Sequence, residues 1–554
     1  MRKHLTFFLF LSLVISLNAQ DIFLRHSTIP ILQYEPNGGG FGGIVAGVDF
    51  DNDGLPEIYA CNTNMIDRDD EVIPRIYKFE WNEATATWDS VWGATISGQA
   101  QNTWHGFTWG DLDDDGKPEI IWCPPNFPDY SGLPNPDPWR VIVFEVVGDG
   151  SDNLGVDDGF GSFLPNAATT IVIDDNFNLR PISVKVVDID TDGTDEIIFA
   201  DQAVDTHFGI LSVDDIPDLG GGGETWTLEA SGLNDIILSG TGNKWDVAIV
   251  GSVIYLFAQS GIVYPVKYDG GTWTSLPGVT SLAAYGSFKG SVTADLNNDG
   301  TDEVVLGSWF TGGKVVVLSQ VADTLVAYEV ADLSLLGATR LNGAAKGDLD
   351  NDGNWDFVFG TRPNSTPNNS VYRVEFQGGD YTNPINYVSS NIDSFLVPVS
   401  GPPLDDSLGG QLDVVAIANV DGDSADEVIY TQGYTRGVNN DTTSDVAILD
   451  IQHTPVSVEL ADDNIPDEFY LNQNFPNPFN PATTMKFGLT NEMAVELKVF
   501  DALGQEVITL IDGQLMKAGS YNVHFDASNL ASGTYVYRLK AGNYVSSKKM
   551  MLIK

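Results

Sequence analysis

The chain is short of positive charge. Only 27 Lys and Arg stand against 77 Asp and Glu in 554 residues, a formal net charge of −50. Such a surface repels nucleic acid and anionic membranes, and divalent cations are its natural partners. Cysteine is limited to Cys61 and Cys123, which excludes a disulfide scaffold. Histidine is rare, and H-E-x-x-H, G-x-S-x-G and P-loop signatures are all missing. Paired carboxylates do serve glycosidases, but every conspicuous acid pair belongs to the pattern described below. Long apolar runs are missing beyond the N-terminus. There Arg2 and Lys3 precede an apolar Leu5–Leu17 stretch, with Asn18-Ala19 before Gln20. This reads as a signal peptide over residues 1–19, too short for a membrane span. Helix-favouring charged stretches are also scarce, whereas 57 Gly and 11% aromatic residues fit a turn-rich, all-β chain.

What the chain has in excess is one acidic loop. GVDFDNDGLPEIYA sets Asp49, Asp51, Asp53 and Glu57 around a turn at Gly54. WGDLDDDGKPEIIW repeats it with Asp111, Asp113, Asp115 and Glu119, and VVDIDTDGTDEIIF with Asp188, Asp190, Asp192 and Glu196. TADLNNDGTDEVVL supplies Asp295, Asn297, Asp299 and Glu303. KGDLDNDGNWDFVF supplies Asp348, Asp350, Asp352 and Asp356, and IANVDGDSADEVIY supplies Asn419, Asp421, Asp423 and Glu427. Oxygen ligands at positions 1, 3, 5 and 9, with a glycine turn between, suit a hard cation wanting six to eight oxygens. Ca²⁺ fits better than Mg²⁺, which keeps its waters. About six Ca²⁺ ions are therefore expected, one per loop. The competing reading is a set of solvated turns without metal. An EF-hand would need a carboxylate at position 12 and flanking helices. Position 12 here is Ala60, Trp122, Phe199, Leu306, Phe359 or Tyr430, and β-branched and aromatic residues follow each loop, which marks strands.

The loops begin at residues 49, 111, 188, 295, 348 and 419, and the longest gap, after 188, hides a further unit. In it, KWDVAIVGSVIYLFAQSGIVYPVKY has the strands but not the acids. Seven units of about 60 residues with four short strands each predict a seven-bladed β-propeller over residues 20–452. Residues 22–31 are placed to supply the last strand of the final blade. The loops and their flanking strands resemble FG-GAP/VCBS repeats, found in integrin α-subunit propellers and many secreted bacterial proteins. The resemblance implies Ca²⁺ between the first and second strands of each blade, with a mainly structural role, and no ion in the fourth.

Composition shifts near residue 452. The acidic stretch 453–468 reads as a linker, and 469–554 as a small C-terminal β-sandwich of alternating strands. Its residues Asn474-Phe475-Pro476-Asn477-Pro478-Phe479-Asn480-Pro481, Asp501 with Gly504, Ala518-Gly519, Leu530–Tyr535 and the terminal Lys548–Lys554 resemble the C-terminal sorting domain of the type IX secretion system of Bacteroidetes-type bacteria. That resemblance implies Sec export, passage across the outer membrane, and release or attachment at the cell surface. The type IX machinery is then a partner, with no transmembrane segment in the mature chain.

Ligand candidates fall in two places. Connections between second and third strands are long in units 1, 2, 6 and 7, which neighbour one another in a closed ring. The one in unit 2 carries Phe127, Tyr130 and Trp139; aromatics on Pro-stiffened loops stack on sugars or anchor peptides. Six residues before their loops, His105, Lys289, Asn342 and Asp413 share a register facing the central channel. Packing against the propeller and simple solvation are the competing readings. Cys61 and Cys123 stand at equivalent places in adjacent units, where a disulfide and two buried thiols both fit. The function expected is a secreted or cell-surface calcium-binding propeller that binds carbohydrate or protein, with no catalytic residue singled out. Alternatives are a polysaccharide lyase or hydrolase, and a structural surface component.

Overall fold

The computed structural model describes residues 22–30, 40–63, 72–96, 103, 106–124, 139–170, 181–201, 208–231, 244–258, 261–268, 272–276, 286–309, 312–321, 324–350, 352–361, 368–396, 411–422, 425–433, 444–452, 456–462, 466, 468–480, 482–491, 493–502, 504, 506–527, 532–542 and 544–553. Residues 1–19, His105, Phe127, Tyr130 and Asp423 lie outside them. The described residues are strand and turn, with two short 3₁₀ turns at Leu333–Leu336 and Pro384–Asn386 as the helical elements among them. No helix there is long and apolar enough to cross a membrane. The chain separates into a unit spanning Phe23–Ile451 and another made chiefly of Gln452–Lys554.

In the first unit, five four-stranded antiparallel sheets and one eight-stranded sheet follow the chain, with a two-stranded ribbon of Val156–Asp157 and Phe163–Leu164 beside them. First strands are Gly40–Val48, Phe107–Gly110, Pro181–Val187, Lys244–Val250, Ser291–Ala294, Leu341–Gly347 and Gln411–Ala418. The last two belong to the eight-stranded sheet, where a single parallel bridge, Gly343 to Val414, joins two four-stranded halves. Each first strand packs beside the next, and Gln411–Ala418 returns to Gly40–Val48. Numbered by these first strands, the groups are sheets 1 to 7. Sheet 7 takes Ile22–Ile29 as its outer strand, beside Ser444–Gln452.

Second strands are buried end to end: Glu57–Thr63, Glu119–Trp122, Glu303–Gly307 and Asp356–Thr361 show no exposed position. This follows from their unbroken apolar runs, which suit a strand covered on both faces. Each core lies between neighbouring sheets; one joins Ile121, Val143 and Cys123 to Val184, Ile197 and Phe199. The first strands approach so closely that side chains are excluded where they meet. A β-carbon on Gly47, at φ +76°, would lie 2.3 Å from Ala418 Cβ. Cys61 and Cys123 are both buried and unbridged. Gly43 N donates to Cys61 Sγ at 3.3 Å, and burial pushes both thiols up to about 12.

Sheet 4 lacks the acidic loop and turns through Gly251-Ser252. A buried carboxylate fastens its first strand instead. Asp246 accepts from Ser183 Oγ of sheet 3 at 2.9 Å, from Ser287 Oγ at 2.6 Å and from Ser291 N of sheet 5 at 2.9 Å.

The second unit holds two four-stranded antiparallel sheets over one core that includes Met485, Phe487, Val523, Val495, Leu497, Tyr537 and Leu539. One sheet contains Val456–Asp462, paired with Gly519–Asp526. The linker expected over 453–468 is corrected over Val456–Asp462, which is a strand: V-S-V-E-L alternates with period two, and that alternation outweighs the acidic composition. Residues of the Asn474–Pro481 stretch clamp the terminal strand, Tyr544–Leu552. Met551 N donates to Asn477 Oδ1 at 2.9 Å, and Phe479 N donates to Met551 O at 2.9 Å.

Candidate metal centres

Each acidic loop joins the first strand of its sheet to the second. The backbone explains the spacing. Position 4 is left-handed in Asn52, Asp114, Thr191 and Asn298, and position 6 is left-handed in Gly54, Gly116, Gly193, Gly300 and Gly353. None of the described residues lies within 4 Å of a β-carbon added at those glycines, so dihedral freedom rather than space requires them. This double reversal turns backbone N–H groups onto the first acid. In the Asp188 loop, Asp192 N donates to Asp188 Oδ1 and Gly193 N to Oδ2, each at 3.2 Å. The Asp49, Asp295 and Asp348 loops repeat the pair.

Position 9 opens each second strand and is buried, and its carboxylate accepts from the backbone N–H of position 2. The donors are Phe50, Leu112, Ile189, Leu296, Leu349 and Val420. One oxygen of each is thereby satisfied, and in Glu57 the same N–H also reaches the second oxygen, Oε1, at 3.3 Å. The other distinguishes the loops.

In the Asp111 loop, Asp111, Asp113, Asp115 and Glu119 bring one oxygen each within 4.8 Å of the others, and so do Asp188, Asp190, Asp192 and Glu196. Glu119 Oε1, Glu196 Oε1, Asp111 Oδ1 and Asp113 Oδ1 are buried without a donor among the described residues. Burial pushes the Glu119 carboxyl up to about 9 and that of Glu196 to about 8. A buried, unpaired carboxylate costs several kcal/mol, so these oxygens require either a proton or a cation. The donor set is all oxygen, as a hard divalent ion demands.

The Asp49 and Asp348 loops differ in their ninth acid, although Asp350 Oδ1 is also buried without a donor among the described residues. Lys78, whose side chain is 1% exposed, places Nζ 2.6 Å from Asp51, 3.1 Å from Glu57, 2.8 Å from Glu80 and 2.9 Å from Asp152. Burial alone would lower its pKa, but the hydrogen bonds to Asp51 and Glu80 outweigh it and hold the ammonium charged. Arg373 donates to both oxygens of Asp356 and, at 2.6 Å, to Asp350. Asp49, Asp51 and Asp53 converge without Glu57. In the Asp295 loop, Asn297 Nδ2 donates to Glu303 Oε1 at 3.1 Å. In the Asn419 loop, Gly422 N donates to Asn419 Oδ1 at 2.8 Å.

Neighbouring sheets also reach into these loops. Asp152 of sheet 2 meets Lys78 of sheet 1. Ile216 N of sheet 3 donates to Asp113 Oδ2 at 2.7 Å, while Asp218 pairs with Lys117 beside Asp115 and Glu145. Lys78, Arg373, Glu80, Glu145 and Glu375 are absent from the positions the loop pattern singles out. Their signal is K/R-x-E or V-x-E in an otherwise apolar third strand: RIYKFEW, VYRVEFQ and RVIVFEV.

Of the ligand candidates, Lys289 and Asp413 are brought together, Nζ donating to Oδ2 at 2.7 Å. Asn342 is buried, and Trp139 is 37% exposed.

Residues 473–554 match the family described as secretion system C-terminal sorting domain, and residues 49–122 match the FG-GAP-like repeat. The second match runs from the Asp49 loop to the end of the second strand of sheet 2, one full repeat step. No curated protein matches. Solved structures with a similar course include Saccharomyces cerevisiae Dbp5 bound to Nup159, Gle1, IP6 and ADP, with TM-score 0.38 and 7% identity over 78% of this chain and 96% of that one. S. cerevisiae Sqt1 gives TM-score 0.37 and 8% identity over 77% and 99% of the two chains. The Cps50 (Swd1) β-propeller domain of Myceliophteria thermophila gives 0.35 and 9% over 76% and 99%. The chain thus carries an FG-GAP-like repeat and a type IX sorting domain, which sends it to the cell surface or the extracellular space.

Proposed function

We propose that this is an exported, calcium-stabilised, seven-bladed β-propeller that binds an extracellular carbohydrate or protein, followed by a β-sandwich sorting domain. Residues 1–19 would serve as the Sec leader. The observation that carries the calcium reading is the convergence of four carboxylates in the Asp111 and Asp188 loops, with buried oxygens that no donor among the described residues satisfies. Ca²⁺ would be held by the acids at positions 1, 3, 5 and 9 and by loop carbonyl oxygen. It supplies charge neutralisation rather than chemistry, tying first strand to second. Metal bound only by the folded chain stabilises it by mass action, about 2.7 kcal/mol per site at a hundredfold excess over Kd.

The ligand reading is supported by the position of Trp139, which stands half-exposed where the third strand of sheet 2 begins, at the end away from the acidic loop. An amphipathic ring there suits a sugar face or an apolar peptide side chain. The pairing of Lys289 with Asp413 leaves the channel residues a structural task as well.

Thermal unfolding of the full chain with excess Ca²⁺ and with chelator, alongside metal analysis, tests the first part. A lower melting temperature in chelator with bound calcium in the untreated chain is expected. An unchanged curve and no bound ion would overturn it. A glycan and peptide array probed with wild type and Trp139→Ala tests the second part. Signal that survives the substitution undiminished removes Trp139 from the ligand site.

A further inference from the structure

In the Asp49 and Asp348 loops, the ninth-position oxygen that the backbone N–H holds less closely or not at all, Glu57 Oε1 and Asp356 Oδ1, meets a side-chain cation. Lys78 and Arg373 occupy one register: they pair with Tyr59 and Val358, each two residues beyond the ninth acid. In the other loop-bearing sheets that register holds Val143, Ile210, Val317 and Ile448. The two cations also reach the same second partner, the third-position acid, Asp51 and Asp350, each at 2.6 Å. Where the cation is replaced by Val143 or Ile210, the corresponding oxygens of Glu119 and Glu196 have no donor among the described residues.

We propose that Lys78 and Arg373 are built-in counter-ions, so that the Asp49 and Asp348 loops take no divalent ion and the calcium load falls on the other four loops. The proposal rests on the calcium reading above and divides its sites. A divalent ion needs the third and ninth carboxylates, and in these two loops both already face a buried positive charge that cannot diffuse away. Two cations a few ångströms apart in a low-dielectric site repel strongly. The remaining acids of the Asp49 loop, Asp49 and Asp53, sit at an exposed rim where water screens them. The result is a ring in which two junctions are fastened without metal. Blade-to-blade contact is built into one of them, since Asp152 of the next sheet is a ligand of the same ammonium.

Metal analysis of the full chain, saturated with Ca²⁺ and desalted, should give four ions per chain. Six ions would overturn the proposal and leave the calcium reading standing; none would overturn both. Lys78→Met should then bind one ion more than wild type. It should melt well below wild type in chelator and recover in Ca²⁺. A loss of stability equal in both conditions, with no added ion, would mean an ordinary salt bridge and would overturn the proposal. If Lys78→Met does not fold, the exposed fifth-position acids give the same comparison: Asp192→Ala should lose one ion and Asp53→Ala none. Loss of an ion from Asp53→Ala would overturn it.

Discussion

Thr191 shows how tightly the loop geometry is drawn. It holds φ +63° at position 4, where Asn52 and Asn298 hold φ 59° and 58°. A left-handed backbone costs an L-residue roughly 1–2 kcal/mol, and Asn escapes part of that through local hydrogen bonding; a β-branched residue suffers it in full. Thr191 is exposed, so no packing offsets the strain. Thr191→Asn is therefore expected to stabilise the chain by about 1 kcal/mol, read as a higher denaturant midpoint in saturating Ca²⁺. An unchanged midpoint would show that the surrounding hydrogen bonds already relieve the strain. The same comparison marks what could be read in advance. The acids at positions 1, 3, 5 and 9 and the glycine at 6 form a local pattern, visible in one loop and confirmed by repetition. Lys78 and Arg373 meet the loops only after two strand crossings, |i−j| of 27 and 23 from Asp51 and Asp350. A short-range pattern cannot register a partner supplied by strand pairing.

At the scale of elements, the sheet that lost its loop is the informative one. Sheet 4 closes its first hairpin through Gly251-Ser252, and its first strand is bonded sideways through Asp246 to both neighbours. Asp246 is 2% exposed and also accepts from Val247 N at 2.9 Å. Asp246→Ala would strand several buried donors at once. A cost of about 3 kcal/mol is expected, the scale of one or two unmatched buried groups, and Asp246→Asn should recover part of it. Equal stability of wild type and Asp246→Ala in urea would show that water replaces the carboxylate. The fourth sheet was legible as strands without acids, because apolar alternation survives loss of the loop. Its substitute fastening was not, since a single Asp within KWDVAIV looks like any polar residue at a strand start. Val456–Asp462 failed in the opposite sense: acidic composition outweighed a short alternation that only its pairing with Gly519–Asp526 makes plain.

For the molecule as a whole, the order of strands fixes where it is weakest. Six of the seven sheets are continuous in sequence, but sheet 7 borrows Ile22–Ile29 from the other end of the first unit. Ile29 is buried with Phe41, Val446 and Ile448, and Ser27 Oγ accepts from Trp88 Nε1 at 2.8 Å, joining this strand to the outer strand of sheet 1. The borrowed strand therefore staples the last sheet to the first, across the junction where Gly47 meets Ala418. Removing residues 1–30 from an otherwise intact chain would strip Ser444–Gln452 of its neighbour and leave a row of unpaired backbone groups, an edge prone to pairing with a second chain. It would also cut the only hydrogen-bonded strand contact between the two ends of the first unit among the described residues. The truncated chain is expected to melt well below wild type and to associate in a concentration-dependent way by light scattering. Adding a synthetic Ile22–Pro30 peptide should reverse both, since the vacant edge accepts an extended segment by main-chain hydrogen bonding. A truncated chain that stays monomeric and melts like the full one would mean that the close contacts of the first strands hold the ring by themselves.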